Sequence, residues 1–115
     1  MTQADSVRLR HMVEAAREAI AFAAGRSRSD LDTDRMPSLT LVRCIEIVGE
    51  AATNVSPTTP AAAPEVPWRQ ISRMRNRLIH AYFSINQDIV WQTVSADRPP
   101  LVRALERFLA SNSEL

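Results

Sequence analysis

The chain has 115 residues, 45% hydrophobic and 23% charged, with a formal net charge of +1 at pH 7. That is ordinary globular composition, it leaves room for one domain spanning residues 1–115, and the whole-chain charge points to no particular partner. Two glycines, one cysteine (Cys44) and two distant histidines (His11 and His80) exclude glycine-rich phosphate loops, a disulfide framework and a local Cys/His metal site. All 14 basic residues are arginine, which excludes lysine nucleophiles and Schiff bases. The single cysteine fits a reducing cytoplasm, and charges from Asp5 to Glu18 interrupt every apolar run near the N-terminus, so neither a secretory leader nor a membrane span is expected.

From Asp5 onward, Leu9, Met12, Val13, Ala16, Ile20 and Ala23 keep the three-four spacing of one helical face. This predicts a first amphipathic helix, capped by Asp5 or Ser6 and closed at Gly25 in the left-handed conformation. The stretch Arg26 to Arg35 is polar and aperiodic and reads as a loop. After Pro37, with Ser38 as cap, Leu39 to Asn54 reads as a helix apolar almost all round, suited to the middle of a bundle. Its narrow polar stripe is Arg43, Glu46 and Glu50. Two carboxylates on one face admit an acid/base role, but the commoner arrangement is an Arg43–Glu46 pair with Glu50 bonded to another helix. Gly49, within this helix, costs about 1 kcal/mol against alanine, and close approach of a neighbouring helix is the expected compensation.

Pro57, Pro60, Pro64 and Pro67 break the backbone into the longest connection of the chain. Pro67 opens a third helix through Trp68, Ile71, Met74 and Leu78 into Tyr82. A fourth begins at a Ser84/Gln87 capping box or at Asn86, with Ile89, Val90 and Val94 inward. Asp97 is expected to cap the last helix, with Pro99 and Pro100 in its first turn and Leu101, Leu105, Phe108 and Leu109 on one face. No segment alternates as a strand does, so the predicted class is all-α: an antiparallel bundle of four main helices with a short fifth.

The third helix carries Arg69, Arg73, Arg75 and Arg77, with no acid between Glu65 and Asp88. A solvated arginine face is the common reason for such a cluster, and packing the common role of a lone histidine. Within it, however, Arg75, Asn76, His80 and Tyr82 place a cation, an amide, an imidazole and a phenol within two turns. Arg75 and His80 lie about 140° apart around a straight helix, too far to face one small substrate unless the arginine bends inward or a second copy of the motif takes part.

Arg75, the four residues from Asn76 to Ile79, then His80-Ala81-Tyr82 match the arginine, four-residue spacer, histidine, any residue, tyrosine signature of the HEPN superfamily. The chain most resembles the HepT-like branch. The runs Ile47-Val48-Gly49-Glu50-Ala51-Ala52, Pro67-Trp68-Arg69-Gln70-Ile71 and Ile85 through Ile89-Val90-Trp91 are similar to that branch too, so the resemblance covers most of the chain. Asn86 stands where the branch often has aspartate, and both residues cap helices. The resemblance implies a metal-independent endoribonuclease toxin, without cofactor, paired with a minimal nucleotidyltransferase antitoxin in a type VII-like system. On that basis Arg75 and His80 are the catalytic residues, Asn76 orients His80 or the phosphate, and Glu50 pins Arg75 or tunes His80. Arg73 and Arg77 are expected to bind RNA, and Tyr82 to accept AMP from the antitoxin. One histidine per chain cannot be acid and base at once, so a homodimer with facing motifs is expected. The rival classes are a non-catalytic nucleotide- or partner-binding module and a structural dimerisation bundle.

Overall fold

A computed structural model describes residues 1–80 and 85–112. The helices are α1 (Gln3–Ala23), α2 (Asp30–Thr33), α3 (Arg35–Thr53), α4 (Thr58–Ala62), α5 (Trp68–His80), α6 (Gln87–Gln92) and α7 (Arg98–Ser111). Among the described residues there is no strand, and no helix is long and apolar enough to cross a membrane. The all-α expectation holds, with α1, α3, α5 and α7 as the four main helices. The predicted mid-bundle helix, α3, packs against both α1 and α5, and α1 also packs against α7.

One core cluster joins Leu9, Met12 and Ala16 of α1 to Val48 and Ala52 of α3 and to Leu105 and Phe108 of α7. A second gathers Leu41 and Ile45 of α3, Leu78 of α5, and Val90 and Val94 beyond it. The heptad-like face predicted for α1 is the buried one. Gly25, just past its end, has φ +80°, the left-handed conformation expected of it.

The caps differ from expectation. Thr2 caps α1 by accepting a hydrogen bond from the Asp5 amide at 3.0 Å. Asp5, expected as that cap, is 1% exposed and turned inward. There it accepts from the Ser56 amide at 3.0 Å, from Thr59 Oγ1 at 2.7 Å and from the Ser56 hydroxyl. This carboxylate anchors the proline-rich connection, where the short α4 forms in place of an unbroken loop. Burial pushes the Asp5 carboxyl up, but the hydrogen bonds from Ser56 and Thr59, with Arg8 nearby, outweigh it and hold the group below the usual aspartate value.

A depressed carboxylate contributes stability that is fully present above the unfolded pKa, about 3.9, and is lost as pH falls through the lower folded value. Asp5→Ala is expected to cost about 2–3 kcal/mol at neutral pH, because it strands the part-buried Ser56 amide and the buried Thr59 hydroxyl. Thermal melts across an acid series test both points. The variant should melt lower at pH 7 and show a shallower acid-side decline than wild type, and equal curves would refute the anchor.

The polar stretch before α3 is not entirely loop, since α2 forms within it. Asp34, not Ser38, caps α3, accepting from the Met36 amide at 3.1 Å. The helix therefore starts at Arg35, with Pro37 in its first turn, where no amide hydrogen is needed. Ser38 is buried and donates to Gln87 Oε1 at 3.0 Å, tying α3 to α6. Asn86 caps α6 by accepting from the amides of Asp88 and Ile89 at 2.9 and 3.2 Å. Ser84, the alternative cap, lies outside the described residues.

The last helix, α7, begins directly after Asp97 with Pro99 and Pro100 in its first turn, as expected, but Asp97 makes no side-chain capping bond. Instead α6 runs through a π-helical turn, Thr93–Asp97, directly into α7. Pro99 and Pro100 lack amide hydrogens, and their rings crowd the carbonyls four residues back. The wider turn ahead of them accommodates both without breaking the helix.

Candidate functional site

The site is built on α5. Its start is fixed by the Ile71 amide bonded to the Pro67 carbonyl at 3.0 Å and by the Trp68 indole donating to the Ala63 carbonyl at 2.9 Å. Ile71 and Leu78 are buried, while Arg69, Arg73, Asn76, Arg77 and His80 are exposed. This amphipathic split leaves the arginine face to solvent and places Arg75 at the boundary with α3.

Gly49 is the residue that Arg75 packs on. A Cβ at position 49 would lie 2.3 Å from Arg75 Cβ and 2.8 Å from its Cγ, so only glycine permits this approach of α5 to α3. The Arg75 side chain continues to the next residue of α3, its Nη2 donating to Glu50 Oε2 at 2.8 Å. Its Nη1 donates to Asn76 Oδ1 at 3.3 Å, and its Nε is buried with no partner among the described residues. An exposed ion pair of this kind adds little to stability, and its consequence is a fixed direction for the guanidinium.

Glu50 thus bonds to another helix, as the sequence predicts, and it pairs with Arg75. Arg43 lies 3.8 Å from Glu46, the loose intrahelical pair also expected. Asn76 is engaged by Arg75, and the His80 side chain makes no hydrogen bond among the described residues. The structure therefore brings together Arg75, Asn76 and Glu50, and leaves His80 exposed in the last turn of α5, one turn beyond Asn76 and about 140° around the helix from Arg75. Arg73 and Arg77 are exposed on the same helix. Tyr82 lies outside the described residues.

Two other titratable groups are removed from nucleophilic or acid/base work. Burial, with Glu18 nearby, pushes the half-buried Cys44 thiol up and keeps it protonated. Arg98 is 3% exposed, and burial pushes it down to about 10, so it remains a cation at neutral pH.

The sequence gives His11 no role beyond its being too distant from His80 to share a local metal site. In the structure His11 and Arg8 line a groove between α1 and α3 that reaches Glu50. The usable signal was their i, i+3 spacing on the polar face of α1, visible only once α1 and α3 are known to be neighbours.

An all-α bundle that presents an arginine, a four-residue spacer and a histidine on one helix, with the arginine tied to a glutamate on the next, is of the HEPN type. The family described as ribonuclease HepT-like matches residues 12–108, and the chain belongs to that family. It is 38% identical over 79 residues to a Thermococcus cleftensis protein named "Probable ribonuclease HepT", covering 69% of this chain and 72% of that one. It is 33% identical over 101 residues to a Caldanaerobacter subterraneus protein named "Putative RNase TTE0752", covering 88% of this chain and 90% of the relative. No solved structure matches the chain.

Proposed function

We propose that this protein is a metal-independent endoribonuclease whose catalytic residues are Arg75 and His80. The observation that carries this reading is the Glu50–Arg75–Asn76 chain of hydrogen bonds, one turn ahead of an exposed histidine, in a member of the ribonuclease HepT-like family. RNA carries its own nucleophile. The 2′-hydroxyl oxygen attacks the adjacent phosphorus while an imidazole takes its proton, and the bond to the 5′-oxygen breaks as a second imidazole protonates that oxygen. The products are a 2′,3′-cyclic phosphate and a 5′-hydroxyl. Arg75 uses one N–H of Nη1 and one of Nη2 on Asn76 and Glu50. A guanidinium in this state keeps one N–H on each of its two Nη nitrogens for the phosphate whose charge builds in the transition state.

A single histidine per chain supplies one of the two proton-transfer groups, so the active form is a homodimer in which His80 of the partner subunit supplies the other. Arg73 and Arg77 guide the RNA strand to the site. The protein acts in the cytoplasm as the toxin of a pair whose antitoxin is a minimal nucleotidyltransferase. The purified protein is expected to cut single-stranded RNA in excess EDTA and to leave the cyclic phosphate. Loss of cleavage on chelation, restored by magnesium, refutes the mechanism.

Tyr82 is the regulatory residue in this proposal. Its phenol, with a pKa near 10, is a poor proton shuttle at neutral pH, whereas its oxygen can attack the α-phosphorus of ATP when the antitoxin catalyses the transfer and pyrophosphate leaves. The AMP adds bulk and about one negative charge near Arg75 and Arg77. Tyr82→Phe is expected to keep most of the cleavage rate and escape silencing by antitoxin with ATP. Mass spectrometry should find AMP additions on wild type and none on the variant, and equal modification of both overturns the assignment.

A further inference from the structure

Away from the α5 motif, the valley between α1 and α3 opens into a groove of about 530 Å³. Arg8 and His11 line one wall from α1, and Arg43 of α3 and Asn54 just past its end line the other. Ile47 and Ala51 lie between them on α3, and Glu50, the residue that holds Arg75, belongs to the same lining. Along α3 the distance from Arg43 to Glu50 is two turns, about 10 Å.

The charge of this groove is not cancelled from within. Glu50 is engaged by Arg75. Asp5 lies 3.8 Å from Arg8, and its oxygens already accept from Ser56 and Thr59. Glu46 meets Arg43 only at 3.8 Å, with the arginine side chain 71% exposed. A solvated arginine face needs neither concavity nor an apolar floor, and this surface has both. Its volume falls within the range of about 300–1,000 Å³ that holds small ligands.

We infer that the α1/α3 groove is a subsite for a nucleotide flanking the RNA bond that is cut. Arg8 and Arg43 take backbone phosphate oxygens, for which the guanidinium fork is well matched, and His11 stacks on the base above Ile47 and Ala51. The inference rests on the ribonuclease reading, because continuity with Arg75 through Glu50 is what makes the two surfaces one track for a strand.

The test uses the full chain and a single-stranded RNA octamer carrying 2′-O-methyl ribose throughout, which removes the nucleophile and leaves the backbone charge. Affinity is measured by fluorescence anisotropy over a salt series, at a pH above the imidazole range. Arg8→Gln with Arg43→Gln is expected to lower affinity roughly tenfold and to reduce the slope of log K against log salt by about 1.4, or about 0.7 for each lost phosphate contact. His11→Ala should weaken binding roughly tenfold without changing the slope, as loss of one stacked base does.

If wild type cuts unmodified RNA while the double variant binds the octamer with unchanged affinity and slope, the subsite is overturned and the ribonuclease reading stands. If the double variant loses affinity as expected but wild type leaves unmodified RNA intact, the ribonuclease reading fails and the groove remains an RNA site. A double variant whose sedimentation changes while its RNA affinity does not assigns the groove to a protein contact, which also overturns the proposal.

Discussion

RNA turnover by His80→Ala is expected to fall by roughly 10² or more, the usual consequence of losing a proton-transfer group. The fold should not register the change. His80 is exposed in the last turn of α5 and its side chain makes no hydrogen bond among the described residues, so its replacement is expected to alter stability by no more than about 0.5 kcal/mol. That separation of rate from stability is the useful feature of the experiment, because a packing residue would move both together. Arg75→Ala is expected to be as inactive, for loss of the cation at the phosphate. If each site takes one His80 from each subunit, a mixed dimer of wild type with His80→Ala carries a single imidazole, so activity in such mixtures should fall as the square of the wild-type fraction. A linear fall argues against the shared site, and an unchanged rate in His80→Ala favours a binding module that cuts nothing.

Legibility in the sequence followed the range of the interaction. Periodicity alone placed the buried face of α1, because Leu9, Met12 and Ala16 report their own helix and nothing else. Gly25 was readable for the same local reason, its left-handed φ closing the helix behind it. The caps were harder, since several candidates lie within one turn and the choice among them is made by tertiary contacts. Asp5 left the N-terminus of α1 because Ser56 and Thr59, more than fifty residues away, offer it buried donors. Ser38 gave up its expected place because Gln87 accepts its hydroxyl. The π-helical turn ahead of Pro99 escaped notice because a proline pair reads equally well as the start of a new helix and as the first turns of a continuous one.

The site divides along the same line. That Glu50 would bond to another helix was foreseeable from the polar stripe on an otherwise apolar surface, but its match with Arg75 depends on how α3 and α5 meet. The groove that includes His11 and Arg8 belongs to no single helix, so their i, i+3 spacing on α1 shows one wall of it and nothing of the other.

Gly49→Ala is expected to damage both the fold and the site, and the geometry gives the sign. Alanine gains about 1 kcal/mol in helix propensity over glycine. Against that, the new Cβ would meet Arg75 Cβ at 2.3 Å and Arg75 Cα at 3.5 Å, where carbon atoms prefer about 3.5–4.0 Å. A Cβ cannot swing aside as the far end of a side chain can, so α5 must move outward by more than about 1 Å. Overpacking of this kind costs about 1–3 kcal/mol, which leaves a net loss of about 0–2 kcal/mol in the melt. The shift also separates Arg75 Nη2 from Glu50 Oε2, now 2.8 Å apart, and a displacement of about 1 Å at a reacting centre costs on the order of 10² in rate. Arg75→Ala retains the offending Cβ, so the double variant Gly49→Ala with Arg75→Ala should remain destabilised relative to Arg75→Ala alone. Arg75→Gly removes that Cβ and should cancel most of the clash without restoring cleavage. A Gly49→Ala protein as stable and as active as wild type would mean that the spacing of α3 and α5 is set elsewhere, and that the direction of the Arg75 guanidinium does not depend on it.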